Sequence, residues 1–418
     1  MTAASERHKT RTLWLCGALH AFTHVYHVAL LPLYLRIQQD LNLGSVEQAT
    51  LLVTVLGLAY FVPSYPLGAL ADRMSRKKLL AAGLAINGLG FVMLSFAPNY
   101  AWALVGVVVA GFGGSFYHPA ATALVTRLFP DRKGRALGLV GIGASVGFFV
   151  SPIYTGWRAV VTGSWRAPVL ELGVLGLIGA AIFTWLAEEE PARRVRSNPG
   201  GREEKIFATP ALWLFFLAAC FAFSLRDFAG VGMSSLCSLF LQQARGFDPK
   251  FTGLALSGIF LASAISNPLF GRLSDHGRIR WVSLVLVLAA AMVAVFPRVS
   301  GPWMMVTLLA YGFFFMVSYP MVEAAVMESV HDSVRGRVFG LFITVGGVFG
   351  NVSHWAVGHW VERLRGQAGT AASYYPLYGL LALLVLLSLA GLPCLHAIGR
   401  REHVERTPGG AAPLSALH

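Results

Sequence analysis

The chain has 418 residues, 56% of them apolar and only 13% charged, and Lys plus Arg outnumber Asp plus Glu by 33 to 20 for a formal net charge of +13. About a quarter of the residues are charged in an ordinary soluble domain. The apolar residues also fall in runs such as 101–126, 169–187, 281–297 and 373–395, which excludes a water-soluble globule. Each run is long enough for a hydrocarbon core of about 30 Å, which takes about 20 helical residues. Only helices and closed barrels satisfy their backbone polar groups inside a bilayer. The runs are continuous rather than alternating, so the fold class is an all-α membrane protein.

In chain order the pattern predicts twelve membrane-spanning helices, at 12–37, 47–70, 78–97, 101–128, 135–157 and 167–187, then 211–241, 250–271, 281–297, 302–328, 338–361 and 373–397. Between the sixth and seventh lies EEEPARRVRSNPGGREEK, a charged stretch with Pro and Gly that reads as a flexible linker. The expected organisation is a tail (1–11), a six-helix bundle (12–187), a linker (188–210), a second six-helix bundle (211–398) and a final tail (399–418). No cleavable signal is expected, because the first run ends in LPLYL rather than at a small-residue site.

With the N-terminus taken as cytoplasmic, 24 Lys and Arg fall on inner segments and 8 on outer ones, and Arg226 lies inside a helix. That excess follows the positive-inside rule and puts both termini on the cytoplasmic side of a bacterial-type inner membrane. The basic balance therefore reports topology and contact with anionic lipid rather than nucleic acid. The four cysteines all fall in apolar runs, giving neither a disulfide framework nor a metal site.

The two halves repeat. GALADRMSRKK (68–78) recurs in reduced form as GRLSDHGRIR (271–280), GFGGSFYHP (111–119) as GFFFMVSYP (312–320), and GRALG (134–138) as GRVFG (336–340). The offsets of 203, 201 and 202 residues keep one register over half the chain. Such a repeat implies two pseudo-symmetric six-helix bundles with a substrate site where they meet.

GALADRMSRKK resembles the signature loop of the major facilitator superfamily. Gly68, Leu70, Asp72, Arg73, Arg76 and Lys77 match the Gly-x-Leu-x-Asp-Arg-x-Gly-Arg-Lys pattern, and Ser75 replaces its second glycine. The resemblance implies twelve helices in the major facilitator fold. It also implies that Asp72 latches the cytoplasmic side against the start of the eleventh helix, where free N–H groups and the helix dipole favour a carboxylate. Within the superfamily, HAFTHVYHVALLP (20–32) and GSFYHPAATALV (114–125) resemble the fosmidomycin-resistance branch of drug exporters. That branch carries an acidic residue where this chain has His24.

His20, His24 and His27 are spaced four and three apart on one face of the first helix. Polar groups at membrane depth face a bundle interior or a watery path, and imidazole both carries a proton and holds an anion. His20 and His24 lie at about the depth of His118 on the fourth helix. The resemblance puts the first, fourth, seventh and tenth helices around one cavity. Pro119 and Pro320 occupy corresponding places, and paired prolines point to a site or a hinge. In the seventh helix Arg226 and Asp227 are consecutive, about 100° apart, and need not pair; Arg226 suits a carboxylate, phosphate or phosphonate. Glu323, on the tenth, could carry a proton or partner an Arg. Gly143, Gly147 and Ser151 repeat every fourth residue, which lets helices approach closely. With Pro152 they lead into SPIYTG, which resembles the Gly-Pro-x-x-Gly-Gly element of drug–proton antiporters. Tyr26, Tyr117, Tyr311 and Tyr319 either line a cavity or pack.

No nucleophile elbow, metal-ligand spacing or phosphate loop is found, so no catalysis, metal or cofactor is expected. The expected function is secondary active transport by alternating access in a monomer, as proton-coupled export of a small amphipathic or anionic compound. Proton-coupled uptake of an organic anion uses the same residues, and a transporter-shaped sensor or assembly protein that moves nothing is the third reading.

Overall fold

The computed structural model describes residues 3–71, 74–188, 206–331 and 334–406, and these are helical with no strand. The helices are α1 (Ala3–Val28), α2 (Tyr34–Asp40), α3 (Val46–Ala71), α4 (Arg76–Ser95), α5 (Tyr100–Gly114), α6 (Tyr117–Leu128), α7 (Lys133–Thr162) and α8 (Arg166–Leu186). They continue as α9 (Pro210–Leu239), α10 (Pro249–Leu273), α11 (Arg278–Val295), α12 (Pro302–Glu328), α13 (Arg335–Glu362), α14 (Tyr375–Leu387) and α15 (Gly391–Arg406). Among the described residues, 11 helical spans are long and apolar enough to cross a membrane. The twelfth expected span is α1, whose four histidines and charged first turns lower its apolar character.

Three expected segments are broken. The first, expected over 12–37, starts earlier and stops at Val28; a 3-10 turn at Leu31–Leu33 leads into α2. Pro32 sits inside that turn and has no N–H to continue an α-helix. The fourth separates into α5 and α6. Pro119 leaves the carbonyl of Ser115, four residues earlier, without its helical donor, and the break falls there. Pro320 does not act alike, for α12 runs through it unbroken. The last segment divides into α14 and α15 through a 3-10 turn at Ser388–Ala390. The expected linker core, 189–205, lies outside the described residues, as do Asp72 and Arg73.

The chain forms two compact units. Unit 1 comprises residues 1–197 with 237–257 and 354–369, and unit 2 comprises 198–236, 258–353 and 370–418. In unit 1, α7 lies along α1 with backbone against backbone. A Cβ at Gly143 would overlap the carbonyl oxygen of Gly17, and one at Gly147 that of Ala21. One turn on, Ser151 Oγ donates to the carbonyl of Val25 at 2.7 Å. The corner joining α2, α4 and α8 is held by Asp40, which accepts from Trp165 Nε1 (3.0 Å) and Arg166 Nε (2.8 Å). Arg166 Nη1 also donates to the carbonyls of Ser95 (2.9 Å) and Ala97 (2.8 Å). Because this corner is partly exposed, Asp40→Asn is expected to cost only about 1 kcal/mol, read as a small fall in melting temperature.

Unit 1 also contains a seam in which the ends of α9, α10 and α13 pack on the first helices. Ser238 Oγ donates to the carbonyl of Leu31 at 2.6 Å, and the α10 backbone at Gly253 touches that of α7 at Pro152. Glu47 on α3 accepts from Trp355 Nε1 (2.7 Å) and meets His359 Nδ1 at 3.0 Å. The Val46 N–H donates to Glu362 Oε2 at 2.9 Å, and the Trp355 N–H to Thr54 Oγ1 at 2.9 Å.

Candidate functional site

The close approach of α7 to α1 positions the first cluster, in unit 1. It brings the Val140 carbonyl to 3.0 Å from His20 Nδ1. A carbonyl only accepts, so His20 Nδ1 carries the hydrogen and Nε2 of the neutral ring keeps its lone pair. That Nε2 lies 3.1 Å from His24 Nε2, so His24 donates from Nε2 and presents a bare lone pair at Nδ1. His24 Nδ1 is buried and has no hydrogen-bond partner. The ring of Tyr117 stacks on His20, with centroids 4.8 Å apart, and its hydroxyl donates to the Cys16 carbonyl at 2.8 Å.

The α5–α6 break turns His118 towards this pair. Its ring lies edge-on to His20 at 5.2 Å and 5.9 Å from His24, and it is solvent-exposed. Phe148 closes the other side of His24, 4.2 Å between ring centroids. His27 lies apart from the three, against Tyr60 (5.1 Å) and Phe61 (5.9 Å).

The second cluster lies in unit 2. The Arg226 side chain is 1% exposed and that of Asp227 12%. The sequence spacing gave no reason for them to pair, yet they do. Arg226 folds back so that Nε (3.0 Å) and Nη2 (2.7 Å) both donate to Asp227 Oδ1. A long, jointed Arg side chain spans an angular separation that a short one would not. Its Nη1 donates to the Ser318 carbonyl on α12 at 3.2 Å, and the guanidinium lies over the Tyr319 ring at 4.2 Å. Glycine at 346 on α13 leaves room for the other carboxylate oxygen, since a Cβ there would overlap Asp227 Oδ2. Glu323, one turn beyond Tyr319, is half-buried. It interacts with Arg226 and Asp227 through charge.

The other expected residues are spread out. Gly68 lies in the last turn of α3, while buried Arg76 and half-buried Lys77 open α4, which Ser75 caps by accepting from the Lys78 N–H at 3.3 Å. Tyr26 packs, donating to the Leu172 carbonyl at 2.9 Å, and Tyr311 stacks on Phe315. The sequence reading missed the Glu47–Trp355–His359 group, whose members are about 310 positions apart. It also missed the backbone acceptors at Val140 and Ser318, which leave no mark in side-chain spacing.

The sequence matches the family model of the Major Facilitator Superfamily over residues 13–354. It is 23% identical over 310 residues to the quinolone resistance protein NorA of Staphylococcus aureus, covering 72% of this chain and 75% of that protein. It is 26% identical over 353 residues to a probable sulfoacetate transporter, SauU, of Cupriavidus necator, covering 76% and 81%. Among solved structures, a bacterial homologue of the human lysosomal transporter Spinster, in an inward-facing, unoccupied conformation, superposes with a TM-score of 0.75 at 17% identity over 96% of this chain and 99% of that one. A proton-dependent oligopeptide transporter gives a TM-score of 0.72 at 13% identity over 93% and 100%.

Proposed function

The chain belongs to the major facilitator superfamily, as a multi-pass membrane transporter and not an enzyme, and from that premise we propose that it couples protons to the movement of small amphipathic organic anions. The observation that carries this is the buried guanidinium of Arg226, held by a single carboxylate from the next residue. A buried charge persists only when compensated, and an intramembrane Arg, being costly, marks a functional site by default. A carboxylate or sulfonate arriving at Arg226 would put a second anion beside Asp227. A proton on Asp227 or on Glu323 removes that repulsion, so anion and proton favour each other's binding. Ligands that bind together move together. The linkage therefore favours proton-driven uptake, and the likeness to a probable sulfoacetate transporter supports an anionic cargo.

Export of an amphipathic compound is the second reading. It is favoured by the likeness to a quinolone resistance protein and by the SPIYTG element on α7. In either direction the remaining assignments form one proposal. Bundles 12–187 and 211–398, joined by 188–210 and flanked by tails 1–11 and 399–418, work by alternating access in a monomer. Both termini face the cytoplasm of a bacterial inner membrane. His20, His24 and His118 line the substrate path, the break before Pro119 serves as a hinge, and Gly68, Asp72, Arg73, Arg76 and Lys77 form the cytoplasmic gate.

The test uses proteoliposomes holding a pH-sensitive dye, with a proton gradient imposed and organic anions and amphipathic drugs added in turn. Proton entry on adding an anion supports the proposal, and proton exit on adding a drug supports export. No response across the panel, from folded and inserted protein, moves the reading to a non-transporting protein.

The seam around Glu47 then serves as the outer gate. Glu47→Gln weakens the contact with His359, a half-buried pair worth about 1 kcal/mol or roughly a fivefold shift in population. The native thiol of Cys237, fully buried on α9 beside Ser238, reports it. With Cys394 replaced by serine, Glu47→Gln is expected to raise labelling of Cys237 by a membrane-impermeant maleimide about fivefold.

A further inference from the structure

The three histidines of unit 1 are arranged more tightly than lining a path requires. One ligand nitrogen from each of His20, His24 and His118 lies within 4.8 Å of the others. The 3.1 Å between His20 Nε2 and His24 Nε2 is close to the edge of a tetrahedral ion site, about 3.3 Å for metal–nitrogen bonds of about 2.0–2.1 Å. One flank of the pair is prepared. His20 gives its other N–H to the Val140 carbonyl, the outer-shell contact that fixes a ligating imidazole in orientation and tautomer. On His24 an ion at Nε2 takes the place of the hydrogen shared with His20, and that hydrogen moves to Nδ1. His118 is solvent-accessible at the start of α6, its ring edge-on to Tyr60 at 6.1 Å and to Tyr117 at 5.4 Å.

We propose that His20, His24 and His118 form a binding site for one late first-row divalent cation of the zinc type. Three neutral imidazoles suit such an ion, whereas calcium and magnesium take oxygen ligands. Three protein ligands leave a fourth position open, for water or for an anionic group of a passing compound. This site stands independently of the Arg226 reading.

The test is a titration of the full-length, tag-free protein in detergent, with Zn²⁺ followed by calorimetry and Co²⁺ by its visible absorption. One ion per chain is expected, with the intense bands of four-coordinate cobalt. His24→Ala and His118→Ala should each lower affinity by more than about tenfold, a ligand mattering at least as much as an outer-shell partner. His276→Ala, an exposed histidine between α10 and α11, should leave it unchanged. Gel filtration and melting temperature verify that each variant is folded, and His118, being exposed, is the replacement that least disturbs packing. Absence of binding, a weak six-coordinate spectrum, or affinity unaltered in folded His24→Ala and His118→Ala proteins would overturn the assignment.

Discussion

Arg226→Ala is expected to abolish anion transport and to lower stability by about 3–5 kcal/mol, the cost of stranding one partner of a buried ion pair. The stranded partner is Asp227, whose Oδ1 accepts two of the guanidinium's hydrogen bonds and whose Oδ2 is pressed against α13 at Gly346. The paired variant Arg226→Ala/Asp227→Ala removes both charges and should recover most of the lost stability without recovering transport. That split separates the electrostatic role from the functional one. If the pair merely held α9 to α12, the double variant would transport as well as it folds. Arg226→Lys should also fail, because an ammonium cannot reproduce the planar fork that holds Asp227, the Ser318 carbonyl and the face of Tyr319 together.

Gly147→Leu carries the second large effect. Even a Cβ at this position would overlap the Ala21 carbonyl oxygen, and backbone cannot yield as a flexible side chain does. Overpacking typically costs about 1–3 kcal/mol, and a leucine here must also part α1 from α7. Little monodisperse protein is expected on gel filtration. The control is Gly138→Ala on the same helix, where a Cβ meets nothing within 4 Å. That change should be neutral or gain up to about 1 kcal/mol from helix propensity. Opposite outcomes from two glycines of one helix would show that α7 is fixed by its contact with α1.

Much of this architecture is legible in the sequence because hydrophobic length and internal repetition are written in side-chain types. The repeat of GALADRMSRKK, GFGGSFYHP and GRALG marks the superfamily. The four-residue spacing of Gly143, Gly147 and Ser151 anticipates small residues at a helix contact. The failures have physical causes. The repeat equates Pro119 with Pro320, but Pro119 lies in the first turn of α6, where no donor is needed, whereas α12 continues through Pro320. Sequence spacing separates Arg226 from Asp227 because it tracks Cα directions and not the reach of a guanidinium. His20 and His24 are visible as neighbours on one face. Their tautomers, set by the Val140 carbonyl on another helix, are not. The Glu47–His359 contact joins positions too far apart in the chain for any local pattern to reveal it.

Asp227, with Glu323 beside it, ties the proton to the anion at Arg226, and Asp227→Asn tests this coupling most directly. The amide resembles the protonated acid in shape and is uncharged like it, so it leaves Arg226 free for an anion while having no proton to exchange. Radiolabelled anion uptake and dye-reported proton flux are measured together in the same proteoliposomes. Asp227→Asn should retain anion exchange while proton movement per anion falls at least severalfold, with Glu323→Gln/Asp227→Asn removing what remains. Proton movement that persists at the wild-type ratio in the double variant, or that runs opposite to the anion in the wild type, would contradict the account.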